Sequence, residues 1–328
     1  MSYLPPRVAV SIISNTGHQV MPSVALLPAA VLLADISGFT ALTEKLAIRG
    51  SEGAEELTRL LNSYFSRMID LLVEEGGEVV QFSGDALIAM FAYDDEPLGY
   101  LVTRAAQAAY RMQAAMIEFA TLQTSVGAVA LGMKIAISAG DVPALSIGGE
   151  RNRWQYIIAG DPLRQVAAVE HAARRGEVKF SAQALALLTS IALPPRPLPP
   201  VELPAELAPT LIDGLCTHIP GAVTYRLLAG QFDGLEELRR MTLLFLGIGG
   251  LEYDSNVGME VLQAAMIDLQ RTVYRYEGSV NKFLVDDKGT ISIIAFGAPP
   301  LAHHDDPLRA VRCALEIQEQ AERRGLRT

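Results

Sequence analysis

Ala29-Ala-Val-Leu-Leu-Ala34, then Asp35-Ile36-Ser37-Gly38-Phe39-Thr40, and later Glu78-Val-Val-Gln-Phe82, Ser83-Gly84-Asp85 and Ala86-Leu-Ile-Ala-Met-Phe91, are the segments whose reading decides the fold. The first apolar run has the length of a buried strand and breaks at Asp35. The two later runs read as strands joined at a tight Ser-Gly-Asp corner. Between them Leu57, Leu60, Leu61, Tyr64, Phe65, Met68, Ile69 and Leu72 recur at helical spacing, and Gly76-Gly77 closes that helix. Strand, helix and hairpin follow in that order. If the first strand lies beside the hairpin, Asp35 and Asp85 converge at one edge of a sheet.

Taken singly, neither aspartate says much. Asp35 reads equally as a cap, a turn residue or a phosphoacceptor, and Asp85 as the ordinary residue of a type I′ hairpin corner. Converging carboxylates beside a Gly-loosened backbone suit a hard divalent cation carrying a nucleoside triphosphate. The N–H groups of Ile36, Ser37, Gly38, Phe39 and Thr40, just ahead of a helix, suit phosphate oxygens.

Moving outward, residues 1–27 read as a lead-in packed on the first domain. That domain, residues 28–230, continues after the hairpin with a helix opened by Glu96-Pro97. Strands follow at 132–138, 154–158, 178–180 and 223–228, with helices at 164–174 and 181–191. The strand at 132–138 runs into a turn at Ala139-Gly140-Asp141, and the Pro-rich segment 193–209 reads as extended surface chain. Residues 231–240 are a connector. From Met241 the pattern restarts: a strand at 242–246, a helix at 257–276, strands at 280–285 and 290–296, and a helix opened by Asp306-Pro307. Arg309, Ala310, Ala314 and Gln318 repeat Arg104, Ala105, Ala109 and Gln113 at one constant offset, which marks a divergent duplication. The second copy, 241–328, reads as incomplete, and the sequence as a fragment of a longer chain. An incomplete sheet should expose an apolar face, so a homodimer is an expected partner.

The chain of 328 residues carries a formal net charge of −10 and no basic stripe interleaved with aromatics, which argues against a nucleic-acid partner. Cys216 and Cys313 have no metal-ligand spacing and read as buried thiols, in keeping with a reducing cytoplasm. No signal-peptide pattern and no apolar run long enough to span a bilayer is present, so no membrane partner is expected. His303-His304 reads as a solvated pair.

The segments Ala34-Asp35-Ile36-Ser37-Gly38-Phe39-Thr40 and Phe82-Ser83-Gly84-Asp85-Ala86-Leu87, at this separation, resemble the first catalytic domain of class III nucleotidyl cyclases, most closely the soluble adenylyl cyclase branch with tandem catalytic domains. The resemblance implies an α+β fold of two ferredoxin-like (βαββαβ) domains in pseudo-twofold tandem, the second incomplete here. It implies conversion of ATP to cyclic AMP and pyrophosphate with two Mg²⁺ or Mn²⁺ ions held by Asp35, Asp85 and the Ile36 carbonyl. From the partner domain it implies an adenine-reading pair on Lys282 and Asp287. Without the resemblance Lys282 would read as a solvated strand residue. Gly247 and about Thr290 stand where Asp35 and Asp85 would be in the second copy, which suits one productive and one degenerate site.

The pattern departs from the family in three places. The partner domain's transition-state Asn and Arg fall beyond the second copy's extent, and Arg164 and Ala168 of the first domain cannot replace them. Little turnover is therefore expected of these 328 residues. Gln81 and about Ala167 occupy the places of the Lys and Arg of bicarbonate-responsive members. Two other readings stay open, a non-catalytic regulatory pseudocyclase and a guanylyl cyclase, and the remaining partners implied are the rest of the second domain and a C-terminal regulatory region.

Overall fold

A computed structural model describes residues 4–14, 20–201, 209–221, 223–224, 240–253, 255–286, 289–298 and 300–328. In chain order its elements are α1 (Pro6–Ser14), β1 (Ser23–Ser37), α2 (Phe39–Ala47), α3 (Ser51–Glu74), β2 (Glu78–Ser83), β3 (Ala86–Phe91) and α4 (Leu98–Ala115). A small hairpin, β4 (Leu122–Thr124) and β5 (Gly127–Val129), leads to the long β6 (Gly132–Gly148), β7 (Trp154–Ile158), α5 (Asp161–His171), β8 (Val178–Phe180) and α6 (Ala182–Leu187). Then come α7 (Pro209–Cys216), β9 (Thr242–Ile248), α8 (Asn256–Arg275), β10 (Ser279–Asp286), β11 (Gly289–Phe296) and α9 (Asp306–Arg323). Two compact units result: one holds residues 27–142 and 161–200, the other 2–26, 143–160 and 201–328.

In the first unit the strands lie in the order β2-β3-β1-β6, with β8 parallel to β6. This is the ferredoxin-like order for a βαββαβ chain. Its core joins Leu32, Tyr64, Met68, Phe91, Leu101 and Met112, each at most 2% exposed. Helix α3 forms where the periodicity places it and extends one turn earlier, to Ser51; α2 is a separate short helix. Gly77 N donates to Leu72 O across 2.8 Å, with Gly76 in the left-handed region, so the Gly pair does close α3.

Two local expectations fail here. Strand β6 does not turn at 139–141 but runs on to Gly148. Its residues beyond Val142 belong to the second unit, where Leu145 and Ile147, with Ile157 and Ala159, enter the core that surrounds Leu262, Val273, Ile294 and Phe296. Burial there outweighs the turn propensity of Gly140-Asp141. The described start of the Pro-rich segment, residues 193–201, is also packed rather than free surface chain. Leu193 exchanges two hydrogen bonds with the Gln107 amide, Arg104 donates to Pro194 O, and Leu198 N donates to Val73 O. Arg196 lies 3.8 Å over the Tyr93 ring and pairs with Asp95 and Glu96. Asp95 and Glu96 thus serve as a clasp for this strap.

In the second unit β9, α8, β10, β11 and α9 repeat the βαββα order, with strands arranged β10-β11-β9. Leu243 and Phe245 on β9 are 50% and 65% exposed. The closing strand expected at 223–228 does not start as one: Val223 and Thr224 are helical, and 225–228 lie outside the described residues, as does 231–239 of the connector. The lead-in is helix α1, which packs Val8 and Leu4 with Ile219 of this unit. Cys313 is fully buried, and burial pushes its thiol up to about 12, so it is an unreactive core residue.

The strap depends on one nearly buried ion pair. Arg104 reaches Glu96 in a two-pronged contact of 2.7 and 2.8 Å, with side chains 5% and 12% exposed. Arg104→Ala leaves the nearly buried Glu96 carboxylate with Arg196 as its remaining partner and frees the Pro194 carbonyl. It should destabilise the fold by about 3 kcal/mol, measured by denaturant unfolding, while Arg196→Ala, at the more exposed side of the clasp, should cost less.

Candidate active site

In β1 and β3, Ala34 pairs with Leu87. Asp35 and Asp85 therefore lie one and two positions past that pair, at the same end of the sheet. The hairpin carrying Asp85 is seated by Phe82, whose ring meets Phe65 of α3 edge-on at 5.1 Å. Its two-residue loop places Gly84 at φ 64, while Asp85 stays at negative φ. That sign pattern belongs to a type II′ turn rather than the type I′ turn expected from Gly-Asp.

After Asp35, the Ile36 side chain is buried and anchors the backbone that turns into α2. Gly38 takes φ 94, and a Cβ there would come 3.1 Å from Ala130 O, so glycine is required by both conformation and space. Gly38 is the N-cap of α2, and no side chain caps the helix. The first N–H groups, from Phe39 and Thr40 onward, keep their donors for an outside acceptor. Phe39 packs partly into the core and holds this start in place, and the Thr43 hydroxyl donates back to Phe39 O at 3.1 Å.

Two residues that the sequence reading passed over complete the cluster. Lys134 on β6 places its ammonium 3.3 Å from Asp35 Oδ2 and also contacts Glu170 of α5, itself 7% exposed. A single lysine inside an otherwise apolar strand was the available signal; nothing in the spacing linked it to Asp35 or to a glutamate 36 positions on.

The electrostatics follow from this geometry. Burial, and after it the charge of Asp85, holds the Asp35 carboxyl above the ordinary carboxylate range, against the pull of Lys134. Burial opposes the charge on Lys134, but Glu170 and Asp35 outweigh it and its pKa is raised. Beneath them the Tyr64 phenol is pushed up by burial and, in the same direction, by Asp35 and Asp85; its hydroxyl lies 3.2 Å from Met133 Sδ. Two half-buried carboxylates at one sheet end, with a lysine as counter-ion to Asp35, are a donor set suited to a divalent cation. Among the described residues no group of three or more His, Cys, Asp or Glu side chains could hold a metal by itself. A cation here would need the Ile36 carbonyl and ligand oxygens as well.

The second unit carries the other expected residues. Lys282 on β10 is half-buried, and burial pulls its ammonium below the ordinary lysine value. Asp287 lies outside the described residues. Both hairpins have a register shift at the same place, between Val79 and Gln81 and between Val280 and Lys282. Gln81 pairs with Ile88 and Lys282 with Ile293, so these two positions are equivalents in the repeats. Gly247 corresponds to Asp35. At the Asp85 place Thr290 is buried and hydrogen-bonds the Tyr253 hydroxyl, leaving no carboxylate. Arg164 is exposed and held 3.0 Å from Asp161. His303 pairs with Glu277 at 2.9 Å.

The sequence profile of the adenylate and guanylate cyclase catalytic domain matches residues 24–207. Among curated proteins, adenylate cyclase type 10 of Rattus norvegicus is 24% identical over 90% of this chain, and that of Homo sapiens 23% over 88%. The chain spans about a fifth of the length of these relatives. A similar solved structure, the adenylyl cyclase CyaB from P. aeruginosa, is 24% identical with a TM-score of 0.43, covering 50% of this chain and 82% of that one. The guanylyl cyclase Cya2 is 26% identical with a TM-score of 0.42, covering 53% and 82%. No described helix is long and apolar enough to cross a membrane.

The sign of the charge coupling can be tested directly. Because the Asp35 pKa is raised in the fold, its ionisation costs stability as pH rises through that value. Asp85→Asn removes a raising charge, so the Asp35 titration should move down and the metal-free fold should become more stable at neutral pH. Lys134→Met removes a lowering charge and should move the titration up. Carbon-detected NMR titration of the aspartate carboxyls, with thermal melts alongside, measures both.

Proposed function

The chain belongs to the adenylate and guanylate cyclase catalytic-domain family, and from that premise we propose that it is the catalytic region of a class III adenylyl cyclase. It would convert ATP to 3′,5′-cyclic AMP and pyrophosphate, with the first unit as metal-binding half and the second as adenine-reading half. The observation that carries this reading is the mutually repelling Asp35 and Asp85 at one sheet end, with Lys134 drawn in as counter-ion.

Asp35, Asp85 and the Ile36 carbonyl would hold Mg²⁺ or Mn²⁺. Such ions, when bound, neutralise the triphosphate and acidify the ribose 3′-hydroxyl. The uncapped start of α2, from Gly38 to Thr40, would donate N–H groups to phosphate oxygens. Lys134, displaced from Asp35 by a cation, would turn its ammonium to the polyphosphate while Glu170 keeps the side chain in place. Lys282 would donate to adenine N1 and Asp287 would accept from the N6 amino group, which favours ATP over GTP.

Arg164 is tied to Asp161 and Ala168 has no donor, so these two positions do not supply the transition-state Asn and Arg that the family draws from its partner domain. Each lost donor costs ~10²–10³ in rate. That favours a second reading of these residues as a nucleotide-binding pseudocyclase module, unless the remainder of the second domain, a C-terminal regulatory region or a second copy supplies the donors. A cytoplasmic location fits the substrate.

Titration calorimetry with Mn²⁺ and a non-hydrolysable ATP analogue should show binding that Asp35→Asn and Asp85→Asn each weaken at least about tenfold. Binding should fail on acidification at a pH above the ordinary aspartate range, since Asp35 must lose its proton. Cyclic AMP from Mn-ATP identifies the enzyme, binding without product the pseudocyclase, and cyclic GMP from Mn-GTP in preference a guanylyl cyclase. Unchanged metal affinity in both aspartate variants would remove the proposal.

A further inference from the structure

The second unit contains a cavity of about 430 Å³ that takes no part in the site above. Its walls come from the turn before β7, the segment after α7, and the junction of α8 with β10. Two arginines stand at its edge. Arg151 is exposed, and its guanidinium lies 5.3 Å from the centre of the Tyr274 ring. Arg153 is half-buried and donates through Nη1 to Cys216 O at 2.7 Å, Ile219 O at 3.0 Å and Thr224 Oγ1 at 3.3 Å, all uncharged acceptors.

The carboxylates nearby are committed elsewhere. Glu150 pairs with Arg271 at 2.8 Å, and Glu277 is shared by Arg309 and His303. Both arginines still act on the Tyr274 hydroxyl, lowering its pKa against the larger effect of burial. The rim is therefore positive in excess, while Ile219, Val280 and Ala295 give the interior an apolar, buried lining.

Backbone strain gathers at the same place. Among the described residues the non-glycine positions with positive φ are Arg151, Asn152 and Glu277. Two of these line the cavity and the third adjoins it. Non-glycine residues keep such conformations where the surroundings hold them, often at ligand clamps.

We infer that this cavity is a binding site for a small organic anion with an apolar or aromatic body. The anionic group, a carboxylate or a phosphate monoester, is received by Arg151 and the remaining donors of Arg153. The body lies against Tyr274, Val280 and Ala295. A volume of this order is that of ordinary small-molecule sites, apolar within and polar at a few points.

The test uses ligand-observed NMR on the full chain with benzoate, phenyl phosphate and the uncharged benzamide. At least one anion should bind, and benzamide about tenfold more weakly, the worth of one charge-assisted contact. Whether benzoate or phenyl phosphate binds the tighter assigns the anionic group. Arg151→Gln, at an exposed side chain, should bring the anion down to the benzamide level. Ala298→Trp, which fills the mouth, should abolish binding without moving the thermal midpoint. The inference is overturned if neither anion binds, if benzamide binds as tightly, or if Arg151→Gln leaves anion affinity unchanged. Neither metal nor turnover enters the readout, so failure here is distinguishable from failure of the proposed cyclase.

Discussion

The interaction that balances the charged cluster of the first unit is the contact of Lys134 with Asp35. Asp35 and Asp85 sit at one end of neighbouring strands, partly withdrawn from water, and burial together with the charge of Asp85 makes that of Asp35 harder to carry. A half-buried pair of like charges is eased by a counter-charge. Lys134 provides part of it, and Glu170 in turn holds Lys134. The arrangement is balanced with the protein alone, yet it leaves carboxylate oxygens that a harder, doubly charged ion would satisfy better. The apolar core below sustains this tension by fixing β1, β3 and β6 side by side.

The two repeats share a framework and differ in what they place on it. The same βαββα order and the same hairpin shift recur, which puts Gln81 and Lys282 on equivalent strand positions. Where the first repeat has two carboxylates, the second has a glycine and a buried threonine bound to Tyr253. A hydroxyl that already has a partner and lies out of water is a poor ligand for a hard cation. The difference between the repeats thus lies in a few polar positions at strand ends, while the buried faces that build each sheet remain apolar.

The second unit is not the second repeat alone. It includes the 143–160 arm, whose Leu145, Ile147 and Ile157 fill the core around α8 and β11, and whose backbone is gripped by amides from α8. Gln263 exchanges two hydrogen bonds with Gly148, and Gln270 bonds to Arg153 O and Glu150 N. The same arm carries Arg151 and Arg153 to the cavity rim. Its strained turn, with Gly148 and Gly149 followed by Arg151 and Asn152 at positive φ, is held by these contacts.

Periodicity and turn chemistry determined much by themselves. The strand, helix and hairpin in each half follow from which residues avoid water and where glycine interrupts, whereas the meeting of positions 35 and 85 at one sheet end needed β1 to pair with β3. The former are local properties, written within a few residues of where they act. Other features only the tertiary structure decided, because they join residues distant in sequence. Lys134 with Asp35 and Glu170, the Pro-rich strap clasped by Arg104 and Glu96, and the continuation of β6 through Gly140-Asp141 each arise when burial or ion pairing outbids a local preference. A lone lysine in an apolar strand, or a run of prolines, carries no record of its partner until the chain has folded around it.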